Sequence, residues 1–416
     1  MKHALAPVAA LLIGVSILLT GQGLQGTLLP VRASLEAFST VSIGTMGAAY
    51  FLGFTLGCLR GGELVGRVGH VRVFLAMTAI GSSAPLIHGL FLSPLPWTLL
   101  RMISGFCFAV LYVVIESWLN ERSTNENRGL VFSTYVTISL SVLAAGQMMT
   151  LLYDPADFQL FAIASVLVSL GALPVALSTS PSPEIPHSVQ VDVRRLFRVS
   201  PAAAIGCLAA GLANGSFWSL APVFTKSITP DPSLAAWFMT SAVIGGAVSQ
   251  WPLGFLSDRI GRRKILIAAA AIGVAISGVI VSAAGSLTVV SASVAGLLWG
   301  AVAFPLYAIA VAHANDFAEA DDYVMISSGL LLMYGIGAVV GPFAASTIMT
   351  WTNAAGLYAF TGIVHLGLAA YVSYRMLRRE SAPDEAHMAF GDAFATAHTA
   401  SQVYEEEIQH LAEEEN

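Results

Sequence analysis

The chain has 416 residues, of which 56% are hydrophobic and only 11% charged, with a net charge of -6; a soluble domain carries about a quarter charged residues, so the composition excludes one and indicates a polytopic membrane protein. Cys58, Cys107 and Cys207 all fall in apolar runs without a C-x-x-C pair, and no ATP-binding loop, Ser/His/Asp arrangement or metal-ligand spacing is visible. No metal, cofactor, enzymatic activity or nucleic-acid partner is therefore expected.

In chain order, apolar segments long enough to span, at about 20 residues each, fall near 7–30, 40–61, 70–92, 97–119, 129–152, 158–178, 202–226, 233–254, 263–285, 287–313, 323–350 and 355–377. We refer to these as spans 1 to 12. The first thirty residues have the layout of a secretory signal, but the same run recurs inside the chain, so a true span is expected there. Trp97 and Trp118 lie 21 residues apart on span 4, about 31 Å along a helix, the separation of aromatic anchors at the two interfaces.

The basic residues set the orientation. Connections after even-numbered spans, with the two ends, hold Lys2, Arg60, Arg67, Arg72, Arg122, Arg128, Arg194, Arg195, Arg198, Arg259, Arg262, Arg263, Lys264, Arg375, Arg378 and Arg379, whereas the opposite side holds Arg32 and Lys226. Both termini are expected in the cytoplasm. Residues 380–416 carry ten acids and neither Lys nor Arg, leaving 19 bases against 15 acids in the membrane body. That body suits anionic lipid, which repels the tail. Within the tail Ala400, Tyr404, Ile408 and Leu411 share a helical face, while its composition favours disorder.

The chain also repeats itself. An offset of 192 residues lays Gln22-Gly23 and Pro30-Val31 over Asn214-Gly215 and Pro222-Val223, Gly53 over Gly245 and Gly69 over Gly261; an offset of 195 lays Tyr112 over Tyr307, Asn120 over Asn315 and Gly146 over Gly341. Two six-helix halves are implied, with boundaries read as follows: an N-terminal bundle over 1–180, a cytoplasmic linker over 181–200, a C-terminal bundle over 201–379 and an acidic cytoplasmic tail over 380–416.

Between spans 8 and 9 stands Gly254-x-Leu256-x-Asp258-Arg259-x-Gly261-Arg262-Arg263, followed by Lys264. It reads as a tight cytoplasmic turn in which Gly254 and Gly261 bend the backbone. This stretch resembles the G-x-L-x-D-R-x-G-R-K signature of the major facilitator superfamily, found between the second and third helices of each half. The first-half copy has decayed, with Gly66 in the aspartate position. Leu100-Arg101 with Gly105 is similar to the superfamily's arginine signature on the fourth helix, although Ser104 replaces its glutamine. Glu121 with Arg128-Gly129 resembles the E-x6-R-G element of sugar facilitators; the other half keeps the acid, Asp316. The Gly-Pro run of drug/proton antiporters belongs on helix 5, but here Gly337, Gly341 and Pro342 lie on helix 11, which weakens a multidrug reading. Gly69-His70 and Glu116-Ser-Trp-Leu-Asn120 resemble the YcaD-like bacterial branch. The resemblance covers about 1–379 and implies an all-α protein of twelve transmembrane helices in two pseudo-symmetric bundles.

Arg101 lies inside a span, where an unpaired charge costs several kcal/mol. It is either a contact for a substrate anion or proton relay, or a snorkelling arginine near the outer interface. Glu116, near the cytoplasmic mouth, either exchanges protons or pairs with a loop arginine. Gln22, Gln25 and Asn214 fall near midplane on the first helix of each half, which by resemblance lines the cavity. They are the first candidates for solute contact, with Tyr112, Tyr135, Gln147, Trp218, Trp299, Tyr307 and Tyr334 as further ones; each of these aromatics can equally be a packing residue. His88 and His365 lie on peripheral spans. By resemblance Asp258 sits beside the start of helix 11, and Arg259 or Arg262 pairs with Asp316, contacts expected only while the cytoplasmic side is closed. With Glu121 and Arg128, these residues form the expected gate.

The function expected is alternating-access transport across the inner membrane of a small polar or weakly anionic solute, coupled to protons, by a monomer whose partners are the solute, protons and membrane lipid. The alternatives are a transporter-fold sensor that signals through the acidic tail, and an uncoupled facilitator.

Overall fold

The computed structural model describes residues 8–124, 127–177, 192–318, 323–378 and 390. Twelve long helices organise them: α1 (Ala9–Leu35), α2 (Thr40–Val68), α3 (His70–Leu90), α4 (Pro94–Glu121), α5 (Arg128–Met148), α6 (Gln159–Leu170), α7 (Pro201–Lys226), α8 (Ser233–Ile260), α9 (Arg262–Ala283), α10 (Val289–Ala303, continued by Pro305–Asn315), α11 (Tyr323–Trp351) and α12 (Gly356–Arg378). Leu173–Ala176 prolongs α6, and a short helix, Val193–Val199, precedes α7. Eleven of the twelve are long and apolar enough to cross a membrane; α8, at 28 residues, is as long as its neighbours but more polar.

Local chemistry sets the helix ends. The Ser39 hydroxyl accepts from the Ser42 amide at the start of α2, and Ser200 accepts from Ala203 at the start of α7, each satisfying an otherwise orphaned N–H. Thr288 and Ser291 form a reciprocal capping box that starts α10. Pro305 interrupts α10, because its ring displaces the carbonyl one turn back and it has no N–H to donate. The turns after α2 and α8 each consist of a single glycine with positive φ, Gly69 at 91° and Gly261 at 105°, a conformation a Cβ disfavours. Gly254, expected to bend the chain, lies inside α8, which runs on to Ile260. The signature stretch is therefore mostly helical, with charged residues on a helical overhang.

The repeat is visible in the packing. Gly53 lets α2 meet α4 at the Met102 carbonyl, and Gly245 lets α8 meet α10 at Leu297; Gly146 meets Thr20 of α1, and Gly341 meets Leu212 of α7. Each contact recurs at the offsets of 192 and 195 residues found in the sequence. Helices α1–α6 thus pack among themselves much as α7–α12 do.

The buried core differs between the two faces. On the face carrying the α1–α2 and α7–α8 connections, both halves share one cluster that includes Leu24, Leu28, Trp97, Phe161, Phe217, Leu220, Trp299 and Tyr358. Towards the face carrying the Gly69 and Gly261 turns, each half has its own cluster, one around Phe74, Phe108 and Trp118 and the other around Leu196, Leu266 and Leu306. The halves are sealed together at one end and separate at the other. Trp97 belongs to the shared core: it is fully buried, edge-on to Phe38, His88 and Phe161, and its N–H donates to the His88 and Phe91 carbonyls. Trp118 is likewise buried, against His70 and Phe74. Neither indole is a lipid-interface anchor. Their ring surface is spent on core packing, and bulky residues such as Val248, Val290 and Trp351 are exposed on the periphery instead.

Candidate solute-binding cavity

Between the halves lies a cavity of about 720 Å³. Its lining reaches exposed Arg60 and Glu63 at the end of α2, so it opens on the face of the Gly69 and Gly261 turns. At the other face the halves close over it. Gly44 and Gly47 bring α2 directly against Ser346 and Ser219, the Lys226 ammonium donates to the Ser34 carbonyl at 2.6 Å, and Thr240 of α8 donates to Gln147 Oε1 of α5 at 3.3 Å.

One polar relay joins three helices on the N-terminal wall. Gln22 of α1 donates through Nε2 to Tyr50 Oη of α2 and accepts at Oε1 from Tyr112 Oη of α4, both at 2.9 Å. The amide is thereby oriented, and so is the Tyr50 ring. Over that ring, 4.0 Å from its centroid, stands the Arg101 guanidinium, held by the attraction of a cation to a π face. Among the described residues Arg101 has no carboxylate partner, so its five N–H donors are available to a solute that enters. Glu116 lies 15 residues further along α4, about 22 Å towards the open face. It is partly buried in the cavity wall, with no ion pair or hydrogen bond among the described residues. The loop-arginine pairing considered for it belongs to a closed cytoplasmic gate, and the Arg128 side chain lies outside the described residues.

The C-terminal wall is aromatic and hydroxylic. Tyr307 and Tyr334 meet edge to face with centroids 5.0 Å apart, and Trp218 stacks on Phe304 at 5.4 Å. Ser219, Ser327 and Ser328 add hydroxyls. Near the closed end Gln25 is 2% exposed, and both polar atoms of its side chain lack a partner among the described residues. A buried amide left unpaired costs about 1–3 kcal/mol, which a hydrogen-bonding solute would offset.

The cavity therefore brings together Gln22, Gln25, Arg101, Tyr112, Glu116, Tyr135, Gln147, Trp218, Tyr307 and Tyr334. Asn214 is buried and outside the cavity lining, and so is Trp299, stacked on Phe217 at 4.6 Å. Glu121 is exposed at the end of α4, and the Arg128 side chain lies outside the described residues, as do Asp321, Asp322 and the tail face of Ala400, Tyr404, Ile408 and Leu411. Sequence reasoning overlooked Tyr50, Phe54 and Cys58. Their i, i+4, i+8 spacing along α2 was the available signal.

Of the expected gate contacts, the pairing of Arg262 with Asp316 is present, and it lies outside the cavity lining. Arg262 at the start of α9 binds Asp316 at the end of α10 through Nε at 2.7 Å and Asp258 through Nη1 at 2.8 Å. The partners of Asp258 among the described residues are Arg262 and the Phe390 amide, and residues 319–322 ahead of α11 lie outside the described residues. Asp258, Arg262 and Asp316 all belong to the C-terminal half, and their contacts exist while the cavity is open on their face. The pair is thus a fixed brace within one half, not a latch confined to the closed state. Arg259 stacks on Phe255 of its own helix.

Comparison with known proteins agrees with this architecture. The chain is 27% identical over 345 residues to the MFS-type transporter YcaD of Escherichia fergusonii, covering 82% of this chain and 89% of that protein, and 26% identical to YcaD of Salmonella typhimurium over the same shares. In structure it is similar to the nucleoside transporter NupG, with a TM-score of 0.73 at 15% identity over 90% of this chain and 100% of that one. It is also similar to a bacterial homologue of the lysosomal transporter Spinster in its inward-facing, occupied conformation, with a TM-score of 0.68 at 14% identity over 96% and 97% of the two chains. The sequence pattern of the Major Facilitator Superfamily matches twice, over residues 11–227 and 203–400, so the chain belongs to that superfamily, as a multi-pass membrane protein with its transporter fold.

Proposed function

We propose that the protein is a proton-coupled secondary transporter of the bacterial inner membrane that moves a small polar or weakly anionic solute by alternating access. The observation that carries this reading is Arg101, fixed over the Tyr50 ring inside the cavity with no carboxylate partner among the described residues. A guanidinium in that position attracts a carboxylate or phosphate and orients it bidentately. Gln22, Gln25, Tyr112, Tyr307 and Tyr334 supply neutral donors and acceptors, and the aromatic walls accept the apolar part of the solute. Glu116 is the residue suited to carry the proton, because of the two acids that line the cavity it is the partly buried one, whereas Glu63 is exposed. The arginine asymmetry supports placing the open face and both termini in the cytoplasm, which makes the present arrangement inward-open.

A thermal-stability screen of the purified protein tests the reading, since a ligand that binds the folded state raises its melting temperature. Organic anions should stabilise the parent protein but not Arg101→Gln, and their uncharged analogues should stabilise neither strongly. Stabilisation that is insensitive to Arg101→Gln would remove the anion site.

A further inference from the structure

The described chain returns to the membrane body once after α12, at Phe390. Its side chain is 3% exposed and joins the core cluster of the C-terminal half with Ile265, Leu266 and Val372. The ring occupies the space left by the missing side chain of Gly254 on α8: a methyl group there would overlap it. One turn further along the same helix, Asp258 Oδ2 accepts the Phe390 amide at 3.0 Å, while Oδ1 holds Arg262. Gly254 and Asp258 therefore form a socket that takes both the ring and the backbone of one residue. Basic residues stand on the ends of the helices that meet here, Arg259 on the last turn of α8, Lys264 on the first turn of α9 and Arg375 and Arg378 on the last turn of α12, whereas residues 380–416 carry ten acids and no Lys or Arg.

We propose that this socket is a docking site for the chain's own acidic C-terminal segment, with Phe390 as its anchor, and that docking staples the α8–α9–α10 corner. Two independent features favour an aromatic residue in an acidic segment as the occupant. The ring-shaped space at Gly254 admits an aromatic side chain, and the surplus of cations around it attracts the flanking acids. Docking reaches the brace directly, because Asp258 joins the Phe390 amide to Arg262, and Arg262 continues to Asp316. Two residues of the superfamily signature thus act as a receptor for the tail.

Hydrogen exchange followed by mass spectrometry on the full-length protein in lipid nanodiscs tests the proposal. The amide of Phe390 should be protected in the parent and exchange at least about tenfold faster in Gly254→Ala, where the added methyl expels the ring. Because Gly254→Ala could also disturb α8, Phe390→Ala provides the second arm. It should leave the protein folded and speed exchange over residues 254–262, and an excess of a free peptide of residues 384–396 should restore protection there. An unprotected Phe390 amide in the parent, or protection that survives Gly254→Ala, overturns the docking site. Unchanged exchange over 254–262 in Phe390→Ala overturns the staple.

Discussion

Replacing Arg262 with methionine removes the centre of the brace between α8, α9 and α10, and the structure sets the size of the effect. The side chains of Arg262 and Asp316 are both 2% exposed, whereas that of Asp258 is 30% exposed. Taking away one partner of a buried pair strands the other as a desolvated charge, at a cost of about 3–5 kcal/mol. The Asp258 contact is open to water, and Asp258→Asn should cost only about 0.2–1 kcal/mol. Replacing both members of the buried pair, as in Arg262→Met with Asp316→Leu, should recover most of the loss, because an apolar pair of similar volume is often close to neutral. The parent, Arg262→Met, Asp316→Leu and the double variant form a cycle measurable by denaturant unfolding in mild detergent micelles, with Asp258→Asn measured beside it. The reasoning is refuted if Arg262→Met is as stable as the parent, or if Asp258→Asn costs as much as Arg262→Met.

Other expectations concern the cavity and its two faces. Gly47 sits against Ser219 where the halves close, so Gly47→Val should pry that face apart; spin-label distances between the α1–α2 and α7–α8 connections should lengthen, and an unchanged distribution would show that the seal does not depend on this contact. Glu116→Gln should preserve solute exchange but remove the response to an imposed pH gradient, and an intact response would move proton coupling to another residue. In intact cells and a cysteine-free background, an impermeant maleimide should label Ser286→Cys but not Thr124→Cys; the reverse would invert the topology.

The helices were largely legible in the sequence because hydrocarbon demands long apolar runs, and those runs are interrupted where charge must stay in water. Their ends were less so. Arg67 and Arg259 lie on helices that continue beyond the apolar stretch, and hydropathy falls where the bilayer ends, not where the helix does. Trp97 and Trp118 have interfacial spacing, yet only the tertiary structure shows that other helices cover both rings. Within the site, Gln22, Gln25 and Arg101 were recognisable because polar groups inside apolar spans need a reason to be there. Tyr50 was not, since an aromatic residue in a span usually packs, and its role as a platform depends on the facing Arg101. Resemblance named Asp316 as a partner for Arg259 or Arg262, but which arginine takes it, and that the pair holds while the cavity is open on that face, depends on how α9 and α10 pack, which spacing along the chain does not encode. The contact of Phe390 with Gly254 spans 136 positions in the chain and left no periodic trace in the sequence.

The most direct test of the central claim is solute flux in proteoliposomes, using an anion chosen by thermal stabilisation and a proton gradient imposed across the membrane. The account predicts accumulation of that anion driven by the gradient, abolished by Arg101→Gln and uncoupled from the gradient by Glu116→Gln. Binding of the anion with no flux in either direction would contradict it, and would make the protein a sensor built on a transporter fold.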